Sequence, residues 1–414
     1  MPLKLIIIFD FFDVSVKLCI FVPMFKALKY RLYPSASQKE LIHKHIGSCR
    51  FIYNLALETK TSAYIGNKAN LSRYDLQKQM VDLKKECGWL KDVNSQSLQV
   101  ALLNLDTAYS KFFKGAGFPK FKSKHKGRQS FSVPQNVIVE NNLLIVPKFK
   151  EGIDIVLHRE IEGTIKSATI SVSPTGKYFA SILVNTKIEN PVKALINEET
   201  TVGVDLGIKD FAVTSNGEVF ENPKHLRKAQ AKLKYVQRKY SKNMGKRTKK
   251  RLAVLHEKVV NRRNDFLHKV STRLIRENQT IALETLSICN MVKNHSLAQA
   301  INDVGWSNFV SMLEYKADWY GKNILRIGQF APSSKTCSNC GHINQDLQLK
   351  DREWTCKGCS SVLDRDVNAS INIKRFALKN NLSGEHTLKN QGKLPTLVGA
   401  LTPEAQPIGY AVGG

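Results

Sequence analysis

Residues 201–211 read TVGVDLGIKDF, an apolar strand with an acid inside it. Val202, Val204 and Leu206 alternate with small or polar residues, which is the period of a half-buried strand. Asp205 lies among them, between Gly203 and Gly207. An ionised carboxylate on an apolar strand is costly unless a partner or a metal compensates it. A strand acid can equally face water, as Asp usually does. The chain runs on through 211–215, turns at Asn216-Gly217 and returns through 218–220. Asn-Gly is the strongest short hairpin signal, so an antiparallel hairpin with an acid on its first strand is expected.

Two further acids occupy similar settings downstream. Residues 280–283 read as a short buried strand that ends in Glu284, and Asp366 sits in LDRDVNASINI at the start of a helical stretch. Taken alone, Asp366 reads as a helix N-cap. Acids presented from neighbouring elements can hold two magnesium ions, which favour oxygen ligands and keep several waters. Such a pair lowers the pKa of an attacking water and stabilises the leaving oxygen in phosphodiester cleavage. Spacing does not bring the three acids together, so their convergence is an expectation about the fold.

The eight cysteines divide into four scattered ones and a cluster, Cys337-Ser-Asn-Cys340, fifteen residues, then Cys356-Lys-Gly-Cys359. Two residues between the sulfurs of each pair let a tight knuckle aim both at one ion, and four thiolates complete a structural zinc tetrahedron. The scatter of Cys19, Cys49, Cys87 and Cys289 does not resemble a disulfide framework, which points to a reducing compartment.

The chain of 414 residues carries 63 Lys and Arg against 35 Asp and Glu, a formal charge of +28. Residues 224–276 hold 19 of the basic residues against Glu257 and Asp265, and 111–128 hold 7 and no acid. Together these two stretches supply +24 of the +28. Charge concentrated in this way implies a polyanion partner, most simply nucleic acid. A length of 414 residues with 42% apolar composition leaves ample material for two to four folded domains.

Residues 1–23 are apolar but interrupted by Asp10, Asp13 and Lys17, with no run of about 18 apolar residues to span a membrane. No small-residue cleavage site follows a clean apolar core, so a secretory signal is not expected. Met24 opens a patterned strand over 25–33 and reads as the biological start, with 1–23 an extension outside the fold. Ser37-Gln38-Lys39-Glu40 reads as a capping box that opens a helix. Further helices begin at Ser72 and after Asn94, the last with Leu98, Ala101, Leu102, Leu105, Tyr109, Phe112 and Phe113 on one face as core. Residues 36–113 are therefore expected to form a helical subdomain. GFPKFKSKHKGR, 117–128, alternates Lys120, Lys122 and Lys124 with Phe118 and Phe121, the composition of a strand that tracks phosphates. Short strands over 137–139, 143–146, 153–157, 170–173 and 178–184 join 25–33 in an expected β-barrel, 24–35 plus 114–190, with the helices inserted. A basic helical hairpin, 222–277, breaks at Gly245, and its outward Arg227, Lys234, Arg238, Arg262 and Arg263 are candidate nucleic-acid contacts. An amphipathic helix over 305–321 and a strand over 323–327 precede the cysteines. Residues 380–414 lack any period and read as a disordered tail.

GVDLGIKDFAVT, ALETL, CSNCG with CKGC, and DRDVNASINI, in that order, resemble the TnpB (OrfB) proteins of insertion sequences. YRLYPSASQ, CRFIYNLAL, VNSQSLQ and GFPKFKSK extend the resemblance over about residues 25–379. It implies a RuvC-like, RNase H-type nuclease fold over 200–330 and 363–379, split by a zinc ribbon at 331–362. It also implies a guide RNA from the transposon end, which directs cleavage of double-stranded DNA beside a short adjacent motif. Compact type V CRISPR effectors are relatives. Asp205, Glu284 and Asp366 look like the three nuclease acids, with Asp364 the near alternative to Asp366. Gln99 resembles a position that contacts the adjacent motif, and a Gln amide can read adenine bidentately in the major groove. Magnesium and one structural zinc are the implied cofactors. The implied setting is a monomer per RNA in a prokaryotic cytoplasm, with no membrane partner. The alternatives are an RNA-guided repressor that does not cut and an accessory transposition protein. The presence of all three acids argues against the first.

Overall fold

The computed structural model describes residues 23–125, 127–348 and 350–382, in two compact units that divide between Glu189 and Asn190. Of the expected extension over 1–23, Pro23 instead opens the first strand and residues 1–22 lie outside the described residues, as does the expected tail from 383 onward.

The first unit begins with β1 (Pro23–Tyr33), α1 (Ala36–Asn67), α2 (Arg73–Glu86) and α3 (Ser95–Phe112). Six strands follow: β2 (Gln129–Val133), β3 (Ile138–Glu140), β4 (Leu143–Val146), β5 (Phe149–Val156), β6 (Thr164–Val172) and β7 (Tyr178–Glu189). With β1 they form one seven-stranded antiparallel sheet in the order β2-β6-β7-β1-β5-β4-β3. The expected β-barrel is here a half-barrel sheet. β2 and β3 are its open edges, and helices cover the apolar face instead of a second turn of strands. Tyr30, Leu32, Phe131, Ile153, Ile170 and Ile182 share a single core with Ile42, Leu57, Leu98 and Leu105 of the helices. Register shifts in the pairings of β1, β4 and β6 supply the local extra twist that curls such a sheet.

Two local expectations change in this unit. The capping box is Ser35 with Gln38, not Ser37 with Glu40. Ser35 Oγ accepts from the Gln38 amide at 3.3 Å, and Gln38 Oε1 accepts from the Ser35 amide at 3.0 Å. Helical geometry already starts at Ala36, which places Ser37 inside the first turn. The aromatic end of α3 is not core throughout either: Phe113 is 79% exposed, while Tyr109 and Phe112 pack edge-on against Phe118. The stripe leaves the core where α3 ends at Phe112.

The second unit contains β8 (Thr201–Leu206), β9 (Asp210–Thr214), β10 (Val219–Glu221), α4 (His225–Asn243), α5 (Lys246–Glu277) and β11 (Thr280–Glu284). After these come α6 (Ile288–Met291), α7 (His295–Val304), α8 (Trp306–Tyr320), β12 (Asn323–Ile327), β13 (Glu353–Thr355), β14 (Val362–Asp364) and α9 (Arg365–Leu382). The main sheet runs β10-β9-β8-β11-β12. Its first three strands pair antiparallel, whereas β11 lies parallel to both β8 and β12. α5, α7 and α8 pack one face through Leu267, Val270, Leu274, Ile301, Phe309 and Leu313. α9 packs the other through Ile373 and Ala377 against Ala282, Leu325 and Ile327. α9 continues to Leu382, three residues into the stretch expected as tail.

Candidate active site

Strand alternation decides where the acids point. Val202, Val204, Leu206, Ile281 and Leu283 all enter the core beneath α5 and α8. The residues between them, Gly203, Asp205, Ala282 and Glu284, must then face α9, and Ala282 packs there. Val204 is in register with Leu283, so Asp205 and Glu284 are the next step along neighbouring parallel strands. α9 can approach because Gly203 has no side chain: a Cβ there would stand 2.0 Å from the Ser370 carbonyl oxygen. That approach brings the first turn of α9, with Asp366, to the two strand acids.

Asp364 and Asp366 have different jobs. Asp364 Oδ1 accepts from the backbone amides of Asp366 at 2.9 Å and Val367 at 2.8 Å, the pattern of a helix cap. Asp366, half-buried on the first turn, pairs with Arg352 at 3.3 Å. Burial pushes the Asp205 carboxyl up to about 8, with Glu284 and then Asp366 adding to the rise and Arg365 opposing it. A carboxyl raised by two others is a like-charge cluster that a cation would relieve. The Ser333 hydroxyl donates to Glu284 Oε1.

The acids share a neighbourhood without closing on one point. Among the described residues, the four cysteines are the group whose ligand atoms all lie within 4.8 Å of one another. The oxygen-only donor set of the three acids suits a hard divalent ion. The sulfurs are tighter: Cys337 and Cys359 are 3.7 Å apart, and Cys340 and Cys356 are 3.5 Å apart. These are the edges of a tetrahedron about 3.8 Å on a side, as zinc–thiolate bonds require. The cluster can hold a metal such as zinc.

The candidate nucleic-acid contacts fall into two groups. Gln99 on α3, Lys120 and Lys124 before β2, Arg227, Lys234 and Arg238 on α4, and Arg262 on α5 are exposed. Two others make contacts within the protein, Arg263 half-buried and Lys122 exposed. Arg263 donates to the Asn302 carbonyl at 2.6 Å, with its alkyl stem under Gly305. Lys122 turns its ammonium onto the Tyr53 ring at 3.9 Å. Residues that charge patterning did not single out are Asn368 and Asn372. Both are buried on α9 and bonded to residues 333–338. Two buried amides one turn apart, within the otherwise small or apolar run 368–373, are the signal that marks them.

Family descriptions match three segments: "Helix-turn-helix domain" over 24–68, "Probable transposase" (OrfB, IS605) over 183–295, and "Cas12f1-like, TNB domain" over 306–373. In this fold, 24–68 hold a strand and one long helix. The chain is 38% identical over 371 residues to a "Putative RNA-guided DNA endonuclease" of Streptomyces pristinaespiralis, covering 87% of this chain and 91% of that one. It is 31% identical to "Putative RNA-guided DNA endonuclease InsQ" of Escherichia coli (strain K12), covering 84% and 91%. Among solved structures it aligns with a mini-RNA-guided endonuclease, CRISPR-Cas phi3, at a TM-score of 0.48 and 11% identity, over 88% of this chain and 94% of that one. With two relatives above 30% identity along nearly their whole length, the chain belongs to the OrfB (TnpB) family of IS605-type insertion sequences.

Proposed function

We propose that this protein is an RNA-guided DNA endonuclease in which Asp205, Glu284 and Asp366 serve a magnesium-dependent phosphodiester cleavage. The observation that supports the reading is geometric: register sets Asp205 and Glu284 side by side on parallel strands facing α9, and the first turn of that closely packed helix carries Asp366. The sheet order, with an antiparallel β8–β10 meander followed by parallel β11 and β12, agrees with an RNase H-type nuclease.

In this reading the three carboxylates would hold the cations; Asp364 caps α9 in place of Asp366, whose partner is the Arg352 side chain instead. Bound there, magnesium supplies positive charge for the phosphoryl oxygens and lowers the pKa of the attacking water. Asp205 gives up its proton to take part, since burial and its neighbours favour the protonated form without a cation. The four cysteines hold one structural zinc in a ribbon inserted at 331–362. Guide pairing supplies sequence specificity, and the basic faces of α4 and α5 grip the sugar–phosphate backbone. Gln99, exposed on α3, reads the adjacent motif from the 36–113 helices. The half-barrel over 24–35 and 114–190 supports those helices, and one chain serves one guide RNA.

The test is a guide-loaded complex given a supercoiled plasmid with the matching target in magnesium. The expected outcome is cutting by the wild type, none by Asp205→Ala, and unchanged target binding by both. A wild type that binds the target and never cuts would leave an RNA-guided repressor as the function.

A further inference from the structure

Ser333 lies just upstream of the first cysteine knuckle and is 4% exposed. A hydroxyl this buried needs a partner, and its partner is a carboxylate oxygen of Glu284, 49 residues away in the chain. The bond is charge-assisted and occupies only Oε1, so it selects one orientation of the carboxylate and leaves Oε2 unencumbered. The backbone of Ser333 is fixed as well. Its carbonyl accepts from Asn372 Nδ2 at 2.8 Å, and the same Nδ2 reaches the Thr336 carbonyl at 2.6 Å. One turn earlier on α9, Asn368 Nδ2 donates to the Thr336 carbonyl at 2.8 Å, while its Oδ1 accepts from the Ser338 amide at 2.8 Å. Ser338 is the residue after Cys337, inside the knuckle.

We propose that Ser333 is a positioning residue that orients Glu284 for the divalent ion, and that Asn372 holds it in place from the helix that carries Asp366. This rests on the reading of Glu284 as a metal-holding acid. One helix then sets both ends of the site: Asp366 directly, and Glu284 through Asn372 and Ser333. The same two asparagines clamp the base of the cysteine knuckle, so the thiolate cluster and the acidic site share one polar strap. Removing the hydroxyl deletes the orienting bond while leaving every carboxylate present.

The experiment uses the guide-loaded complex and two readouts: the magnesium concentration for half-maximal cleavage, and binding of manganese alone, followed by the spin-resonance signal of the free ion. Ser333→Ala is expected to weaken both by about 10- to 100-fold, the usual effect of losing a partner that orients a metal ligand. Ser333→Thr, which keeps the hydroxyl, is expected to stay near wild type in both. Zinc content is expected to be one per chain throughout, showing that the knuckle is intact. Should Ser333→Ala fail to hold zinc, Ser333→Cys, with its weak donor, is read in its place. Wild-type metal dependence in the hydroxyl-free variant overturns the proposal, as does an equal loss in Ser333→Thr, which would mean packing alone. A wild type that neither cuts nor binds manganese defeats the nuclease reading itself, a result separable from either of those.

Discussion

At Gly203 a single missing methyl decides how closely α9 can approach the strands that carry Asp205 and Glu284. A Cβ there would stand 2.0 Å from the Ser370 carbonyl oxygen and 2.8 Å from the Lys374 nitrogen, both backbone atoms of α9 that cannot step aside. Gly203→Ala is expected to destabilise the second unit by about 1–3 kcal/mol or more through overpacking. Its melting temperature should fall by about 2–4 °C for each kcal/mol. Cleavage should fall further than stability, because α9 carries Asp366; a thermal melt beside a plasmid assay checks both. His45 is the corresponding residue of the first unit. It is fully buried on α1, stacked on Phe131, with Nδ1 donating to the Leu41 carbonyl at 2.8 Å and Nε2 accepting from the Asn94 amide at 3.0 Å. Burial pushes its pKa below the ordinary 6.5. The folded state therefore keeps His45 neutral where the unfolded chain would bind a proton. Its stabilisation is complete above about pH 6.5 and is lost as pH falls below that. Melting of the wild type should drop between pH 7.5 and 5.5, whereas His45→Gln should start lower and show a shallower drop.

Among the elements, the cysteine ribbon depends most on something beyond its own chain. Its apolar core is Cys337, Leu347, Trp354 and Cys356, with Leu363 against them, and its sheet is the short pair β13–β14. So small a core cannot hold a fold without a staple. Chelating zinc under reducing conditions is expected to open 331–362 to protease, and re-addition of zinc should close it again, as followed by limited proteolysis with mass analysis. The ribbon is legible from spacing because two Cys-x-x-Cys pairs need only local turns to become knuckles. β12 and the break at Gly245 are legible for a similar reason, since apolar period and helix breakers act within a few residues. β2 is not, because QSFSV offers only two apolar residues and owes its strand to pairing with β6, some forty residues later. The first cap is ambiguous in sequence because Ser35 and Ser37 carry equivalent side chains. The extended geometry of Ser35 makes the choice between them.

Across the whole molecule, charge and hydrogen bonding divide the basic residues into two kinds. Arg227, Lys234, Arg238 and Arg262 are exposed, while Arg263 is spent on the Asn302 carbonyl. Replacing the four exposed residues with Gln is expected to lower the salt slope of guide-RNA binding by about 3, at about 0.7–0.9 for each phosphate no longer neutralised. Arg263→Gln should leave the slope unchanged and lower the melting temperature instead; binding titrated against salt distinguishes the two. The sequence by itself determined what neighbours in the chain can settle. The acid-bearing strand, the four-thiolate cluster, the basic helical hairpin and the family all follow from period, spacing and motif. Only the tertiary structure decided that Asp364 caps α9 while Asp366 stays off the cap and pairs with Arg352, that Arg263 turns inward, and that the first sheet stays open under its helices. Each of those outcomes depends on which residues tens of positions apart come together, and local periodicity carries no record of which distant backbone will arrive beside a given side chain.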